Sequence, residues 1–327
     1  MVGSSKIEES TFLVTGGAGF IGSNLVSALL SHAAKKVRVL DNFSTGYKKN
    51  LSEFLHHPAF ELIEGDIRDL KTCKVACEGI DFVSHQAALG SVPRSISDPI
   101  TTNEVNITGF LNILVAAKDA EVKRIVYAAS SSTYGDSQSL PKVESIIGNP
   151  LSPYAVTKYV NELYAHVFAL NYRLESIGLR YFNVFGPKQD PNGVYAAVIP
   201  LFIQAVLHGK SPFINGDGLQ SRDFTYITNV IQANLKAMMT TNDVAVNQIY
   251  NIGVGDRTTI KQMFETIKKI AGKNINPSFR NDRLGDVRDS LADISKAKSL
   301  LDYSPNVRLE EGLLKTFQWF SKNQNLI

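Results

Sequence analysis

The stretch that most constrains this chain runs from Phe12 to Asp41. A short apolar run, Phe12-Leu13-Val14, meets the turn Thr15-Gly16-Gly17-Ala18-Gly19-Phe20-Ile21-Gly22. An amphipathic run follows from Phe20 to Leu30, and a second apolar stretch, Val37 to Leu40, ends on Asp41. The order is strand, glycine turn, helix, strand, with an acid 19 residues beyond the last glycine. Gly16 permits the tight turn, Gly19 lets backbone approach a pyrophosphate, and Gly22 lets the helix lie close on the strand. The N-terminus of that helix turns free N–H groups and the positive end of its dipole toward phosphate. Asp41 is placed to accept hydrogen bonds from an adenosine ribose, and its charge would repel a 2′-phosphate. The stretch predicts binding of NAD rather than NADP, with Lys48 and Lys49 nearby weakening that preference slightly.

Bulk properties exclude several classes. The 327 residues are 44% hydrophobic and 20% charged, as in a globular enzyme. The net charge of +3 is spread without a basic tract, so nucleic acid is not implied. No apolar run approaches the ~20 residues of a membrane span. The first ten residues lack the apolar centre of a signal peptide. Cys73 and Cys77, one turn apart in an expected helix, read as thiols of a reduced, cytoplasmic chain, with a redox or metal pair as the alternative. The six histidines have no metal-ligand spacing, and no metal is expected.

Strands and helices alternate through the first half. Further strands are expected over Phe60 to Glu64, Asp81 to His85, Arg124 to Ala129 and Ser176 to Tyr181, with helices near 69–78, 98–119 and 153–172. This alternation predicts an α/β fold, a Rossmann-type doubly wound parallel sheet. Ligands of such sheets sit beyond the carboxyl ends of the strands. There lie Gly65-Asp66-Ile67, Gln86-Ala87-Ala88, Ser130 to Gly135, and Asn183 to Pro187. Asp66 is placed for the adenine amino group or for capping the next helix; Ala87 and Ala88 are small where a cofactor would pass. Asn106 is either a cofactor contact or a cap for local backbone groups. Beyond Gly186 the pattern loosens. A helix is expected over about Ala196 to Leu207 with Pro200 in its first turn, then a strand and turn at Phe213 to Gly218. Further helices are expected near 228–239, 258–271 and 309–322, and a strand near Gln248 to Ile252 should rejoin the first sheet.

Tyr154-Ala155-Val156-Thr157-Lys158 puts a phenol and an ammonium four residues apart on one helical face. Ser152-Pro153 marks the helix start. A tyrosine titrates near ~10; a neighbouring cation, ammonium or nicotinamide, favours the phenolate and makes Tyr154 a base usable near neutral pH. Ser130, at a strand end, can hydrogen-bond the same substrate hydroxyl.

Together these motifs resemble the extended short-chain dehydrogenases/reductases, specifically the nucleotide-sugar 4-epimerases that act on UDP-galactose and UDP-N-acetylglucosamine. The resemblance is carried by Thr15-Gly16-x-x-Gly19-x-x-Gly22, Asp41-Asn42, Asp66-Ile67, His85-Gln86-Ala87-Ala88, Ser130 to Gly135, Tyr154-x-x-x-Lys158 and Arg180 to Gly186. Later come Ser221-Arg222-Asp223-Phe224 and Arg283-Leu284-Gly285-Asp286-Val287-Arg288; the match spans roughly residues 10 to 322. It implies that residues 10–182, with a return strand and helix in about 224–253, hold NAD, and that residues 183–327 form a smaller interleaved lobe for the UDP-sugar. It implies further cofactor contacts from Phe20, Ile21, Asn42, Ser44, Gly46, Ile67, Gln86, Tyr181 and Val184. Tyr154 would take the proton of the sugar 4-hydroxyl while hydride passes to tightly held NAD; the 4-keto sugar would turn over and take both back on its other face. Lys158 would fix the nicotinamide ribose and lower the pKa of Tyr154.

The same resemblance assigns substrate residues. Ser130, Ser131 and Ser132 would face the sugar, Asn183, Arg222 and Arg283 the diphosphate, Asp286 the uridine ribose, and Ala197 and Val198 the uracil and sugar. Enzymes that reject N-acetyl sugars carry a bulky tyrosine four positions past the aspartate matching Asp286. Here that position is Ser290, with Gly90 and Ser91 matching a small loop beside the sugar. The expected reaction is interconversion of UDP-GlcNAc and UDP-GalNAc. The alternatives are epimerisation of UDP-glucose or UDP-glucuronate at C4, or decarboxylation of UDP-glucuronate, for which Arg94 is the one nearby basic candidate. A 4,6-dehydratase would need an Asp-Glu pair where this chain has Ser131-Ser132. A cofactor-sensing protein without catalysis is countered by the intact Ser130, Tyr154 and Lys158. The apolar faces of helices 98–119 and 153–172 imply a homodimer through a four-helix bundle.

Overall fold

The computed structural model describes residues 7–193, 196–281 and 288–324. The first half alternates β1 (Thr11–Thr15), α1 (Phe20–Ser31), β2 (Lys36–Asp41), β3 (Phe60–Glu64), α2 (Leu70–Cys77), β4 (Phe82–His85), α3 (Val92–Ser97), α4 (Pro99–Asn103), α5 (Gly109–Asp119), β5 (Arg124–Ser130), α6 (Pro153–Tyr172) and β6 (Glu175–Tyr181). The remainder comprises β7 (Val184–Phe185), α7 (Val198–Leu207), β8 (Phe213–Asn215), β9 (Ser221–Arg222), β10 (Thr225–Tyr226), α8 (Ile227–Met239), β11 (Gln248–Ile252), β12 (Thr258–Thr259), α9 (Ile260–Ala271), β13 (Ser278–Arg280), α10 (Ser295–Leu301) and α11 (Leu309–Lys322).

Seven strands form one sheet in the order β11-β6-β5-β4-β1-β2-β3. Every neighbouring pair is parallel. Helices cover both faces, which is why β1 is a continuous apolar run rather than an alternating one. Phe12 and Val14 point into one core and Leu13 into the other, and all three are fully buried. Each such side chain contributes roughly 1.5–3 kcal/mol by leaving water. β11 lies along β6 from Gln248↔Ile177 to Ile252↔Tyr181, so the return strand read from the sequence sits at the sheet edge. α8 packs against α1 and the ends of β5 and β6. The later elements make three small pairings, β10 with β7, β12 with β9 and β13 with β8.

Local chemistry sets the helix starts. Ser152 accepts a hydrogen bond from the Ala155 N–H (3.2 Å), and Pro153 opens α6. Asp69 caps α2, and Thr259 with Gln262 makes a reciprocal capping box on α9. Loss of such a cap costs about 1 kcal/mol. The helix expected over 98–119 is not uniform. A π turn, Glu104–Thr108, separates α4 from α5, and such turns gather at functional sites. Here it rotates Asn106 inward, where it is 1% exposed. The helix expected from Ala196 begins at Val198, leaving Pro200 in the first turn, where a missing N–H costs nothing.

Candidate active site

The carboxyl ends of β1, β2, β3 and β4 open onto a cavity of about 400 Å³. Gly16, Gly19, Phe20, Ile21 and Gly22 line it from the glycine turn; Asp41, Asn42, Ser44 and Gly46 from the end of β2 and its loop; Asp66 and Ile67 from beyond β3; Gln86, Ala87, Ala88 and Gly90 from beyond β4. Gly16 has a positive φ of 68°, and a Cβ on it would lie 2.7 Å from the Ala87 nitrogen, so no other residue fits. A Cβ on Gly22 would come within 2.2 Å of the Gly16 carbonyl. The close approach made by Gly22 is therefore to the turn itself rather than to the strand. Gly19 precedes α1 with no side-chain cap, which leaves the first N–H groups of the helix to a ligand.

Two acids line this cavity, and the protein holds both. Asp41 accepts from the N–H groups of Ala18 and Phe43, each at 2.8 Å. Burial raises its pKa and those two bonds oppose the rise. Asp66 is clamped by Arg68 (2.7 Å) and by the Asn42 amide (2.9 Å), and the Arg68 guanidinium holds it down to about 2. Each carboxylate keeps acceptor capacity for a hydroxyl or amino group. Gln189, not singled out by any sequence motif, also lines the cavity; its Oε1 is buried without a hydrogen-bond partner among the described residues. An open helix terminus, an acid at the end of β2 and an acceptor unpartnered among the described residues together fit a dinucleotide.

Four expected cofactor residues stand elsewhere. Asn106 accepts from the Leu89 N–H (2.8 Å) and donates to the Leu89 carbonyl (3.2 Å) and to Thr157 (3.1 Å). Its amide ties the loop after β4 to α6, which is the local-backbone role of the two open for it. The Tyr181 hydroxyl lies in a buried network with Asn234 and Gln86, where burial pushes it up to about 12. Val184 sits in β7, its carbonyl receiving the Gln189 amide at 3.1 Å. Lys158 is 2% exposed and donates to the Ala128 carbonyl at 2.8 Å, with its ammonium 6.0 Å from the centre of the Tyr154 ring. Burial brings Lys158 down to about 8.

Tyr154 itself departs from expectation. Burial raises its pKa, and the hydrogen bond with Ser130 only partly offsets the rise. Ser130 in turn accepts from the Ser132 N–H (3.2 Å) and hydroxyl (2.9 Å), which fixes its oxygen toward Tyr154.

Ser130, Ser131 and Ser132 line a second, smaller pocket of about 190 Å³. Asn183, Arg222 and Ser290 meet them there, with Val92, Ser152 and Lys142. Ser290 is 6% exposed, and its N–H donates to the Ser221 carbonyl (3.1 Å). Asn183 donates to the Asp223 carbonyl (3.3 Å), and Arg222 to those of Ser221 and Arg288, each at 2.9 Å. Asp223 is the buried pin of the region: it accepts from the N–H groups of Val254 (2.8 Å), Gly255 (3.0 Å) and Ala292 (3.3 Å), and burial brings it up to about 6. Ser91 caps α3 through the Arg94 N–H. Val198 lines a third cavity, about 590 Å³, with Ala196, Phe213 and Arg280; Ala197 is its exposed neighbour. Arg283 and Asp286 lie outside the described residues.

Cys73 and Cys77 are buried thiols, both pushed up to about 12 by burial, and so unreactive. Among the described residues no group of three or more His, Cys, Asp or Glu could hold a metal. No described helix is long and apolar enough to cross a membrane.

Residues 12–253 match the model of the NAD dependent epimerase/dehydratase family. The chain is 36% identical over 310 residues to a UDP-glucose 4-epimerase of Mycolicibacterium smegmatis, covering 94% of this chain and 97% of that one. Its structure resembles that of a UDP-N-acetylglucosamine 4-epimerase from Methanobrevibacter ruminantium M1 in complex with UDP-N-acetylmuramic acid, with a TM-score of 0.90, 39% identity and coverage of 96% and 98%. It also resembles a UDP-glucuronic acid 4-epimerase from Bacillus cereus in complex with UDP-glucuronic acid and NAD, with a TM-score of 0.89, 34% identity and coverage of 95% and 99%. With the glycine turn, the Tyr154–Lys158 pair and near-complete coverage in agreement, this chain belongs to the NAD dependent epimerase/dehydratase family.

Proposed function

We propose that this chain, a UDP-sugar 4-epimerase that uses NAD, interconverts UDP-N-acetylglucosamine and UDP-N-acetylgalactosamine. One observation carries the N-acetyl assignment: Ser290, small and buried, lines the same pocket as Ser130 and Arg222. A serine there leaves room for an acetamido group at C2. In this reading Asn183 and Arg222 hold the diphosphate, arginine being suited by its planar fork. The cavity beside Val198, Phe213 and Arg280 takes the nucleoside. The cavity behind the glycine turn holds NAD through Asp41, the α1 terminus and Gln189.

Bound NAD supplies reversible oxidation at C4 and a positive charge beside Tyr154. That charge favours the phenolate and so opposes the burial that raises the Tyr154 pKa. Tyr154 then takes the proton of the 4-hydroxyl and returns it. Ser130 orients the same oxygen, its own position fixed by Ser132. Lys158, held against the Ala128 carbonyl, keeps a donor beside the phenol.

Separate incubations with UDP-GlcNAc and UDP-glucose, with products identified by NMR, test the assignment; faster turnover of UDP-glucose overturns it. Ser290→Tyr should slow the N-acetyl substrate at least tenfold more than UDP-glucose, the effect of about 1.4 kcal/mol. Equal slowing of both removes Ser290 as the selector. A second reading, a UDP-glucuronate 4-epimerase or decarboxylase, draws on Lys142 in the substrate pocket; a C4-epimerised uronate or released carbon dioxide would identify it.

A cytoplasmic homodimer completes the reading. Val156, Leu163, Val167 and Leu170 form an exposed apolar stripe on α6, and Ile100 is exposed on α4. Such a patch marks an interface. Light scattering of Leu163→Glu should report monomer where the wild type reports dimer; a monomeric wild type refutes the pairing.

A further inference from the structure

We propose that Lys142 is a substrate-binding, specificity-determining residue whose ammonium donates to a negatively polarised acceptor oxygen on the hexose of the nucleotide sugar. The inference rests on the reading that this pocket holds the hexose. Lys142 is 5% exposed, yet it lines the pocket shared by Ser130, Ser132, Asn183, Arg222 and Ser290. Its ammonium donates to the Ser137 carbonyl. Among the described residues no carboxylate pairs with it, although sixteen other ion pairs form. A lysine is rarely buried without a partner, and an unpaired charge out of water is costly. An ammonium has three donors, so two remain for the pocket. Burial lowers its pKa, with no opposing charge to restore it.

The backbone fixes this residue where the sugar would lie. The Lys142 N–H donates to the Leu291 carbonyl at 2.7 Å. Its carbonyl accepts from the Asp293 N–H (2.9 Å) and the Asn251 amide (2.8 Å). It forms a parallel bridge with Ala292, two residues from Ser290. Lys142 therefore lines one pocket with Ser290, the residue assigned to the C2 substituent. Two sources of the acceptor share this chemistry: the carbonyl of an acetamido group at C2, or the carboxylate of a uronate.

The experiment measures Kd by calorimetry for UDP, UDP-glucose, UDP-GlcNAc and UDP-glucuronate on NAD-loaded wild type and Lys142→Met. The sugar bearing the acceptor should bind ten- to a hundredfold more weakly to the variant, as for loss of a charged hydrogen bond. UDP and UDP-glucose should change less than twofold, and bound NAD should be retained. A selective loss on UDP-GlcNAc identifies the acetamide, and one on UDP-glucuronate the carboxylate. Equal losses on all four ligands, or none, overturn the proposal and leave Lys142 as a clamp on the Ser137 carbonyl. Should Lys142→Met not fold, Lys142→Arg decides: the ratio of the UDP-GlcNAc or UDP-glucuronate Kd to that of UDP-glucose should shift at least threefold, and an unchanged ratio overturns the proposal. Selectivity of the wild type for UDP-glucose over both other sugars would instead defeat the N-acetyl assignment, separately from the effect of the substitution.

Discussion

The cofactor cavity and the substrate pocket are assembled by opposite means. The first is local: apart from Val105 and Gln189, its lining lies between Gly16 and Gly90, at the ends of four adjacent strands. Backbone does much of the work there, through an uncapped helix terminus and glycines whose Cβ would collide. Its two acids are already tied down by Ala18, Phe43 and Arg68. The second pocket gathers residues from Val92 to Ser290 and relies on side chains. It contains Lys142, whose charge meets only a carbonyl among the described residues. One cavity offers backbone donors and carboxylates already held in place; the other brings a buried ammonium that meets only a carbonyl among the described residues. The difference teaches that the first cavity is set mainly by backbone from one stretch of chain and the second by side chains brought together from distant ones.

Tyr154→Phe should break the two regions apart most sharply. Loss of general acid–base catalysis costs typically 10²–10⁴-fold in kcat, yet NAD released on denaturation should stay at the wild-type amount. Loss of NAD in this variant would mean that the regions are not separable. Gly22→Ala attacks the other side. Its Cβ would meet the Gly16 carbonyl at 2.2 Å, and overpacking of this kind costs about 1–3 kcal/mol. The purified variant should carry little NAD and melt earlier; full NAD content would show that the turn can yield. The smallest effect concerns Asp66. Its pKa is depressed from 3.8 to about 2 by Arg68, so the pair contributes stability that is complete above pH 5 and lost as pH falls through 2. The difference in urea midpoint between wild type and Arg68→Ala should narrow over that window. A constant difference would remove the pair from the ledger of the cofactor cavity.

The same contrast explains what was legible in the sequence. The expected strands of the first half agree with the structure within a residue or two, as do the helices begun by Asp69 and Ser152, because each is written in a local period; the short helix Val92–Ser97 and the π turn within 98–119 carry no such signal. The lining of the cofactor cavity was legible for the same reason. For Asn106 the sequence leaves two roles open, and its bonds to Leu89 depend on a contact 17 residues away that no local period marks. Lys142 was missed because its partners, Leu291 and Asp293, lie some 150 residues away. Asp223 was quoted only within a motif; its role as the pin for Val254, Gly255 and Ala292 depends on three distant N–H groups. Tyr154 was placed correctly on the helix, but its titration depends on burial, which spacing does not encode.

The position of β11 has a consequence for synthesis. Until Gln248–Ile252 emerges, the outer rim of β6 has no neighbour to take its N–H and C=O groups. Translation at 5–20 residues per second must add about seventy residues after β6, a delay of roughly 4–14 s. During that interval the nascent chain presents a naked template for intermolecular pairing. A ribosome-associated chaperone that covers this edge should therefore raise the yield of this enzyme, and slow passage through residues 182–247 should lower it.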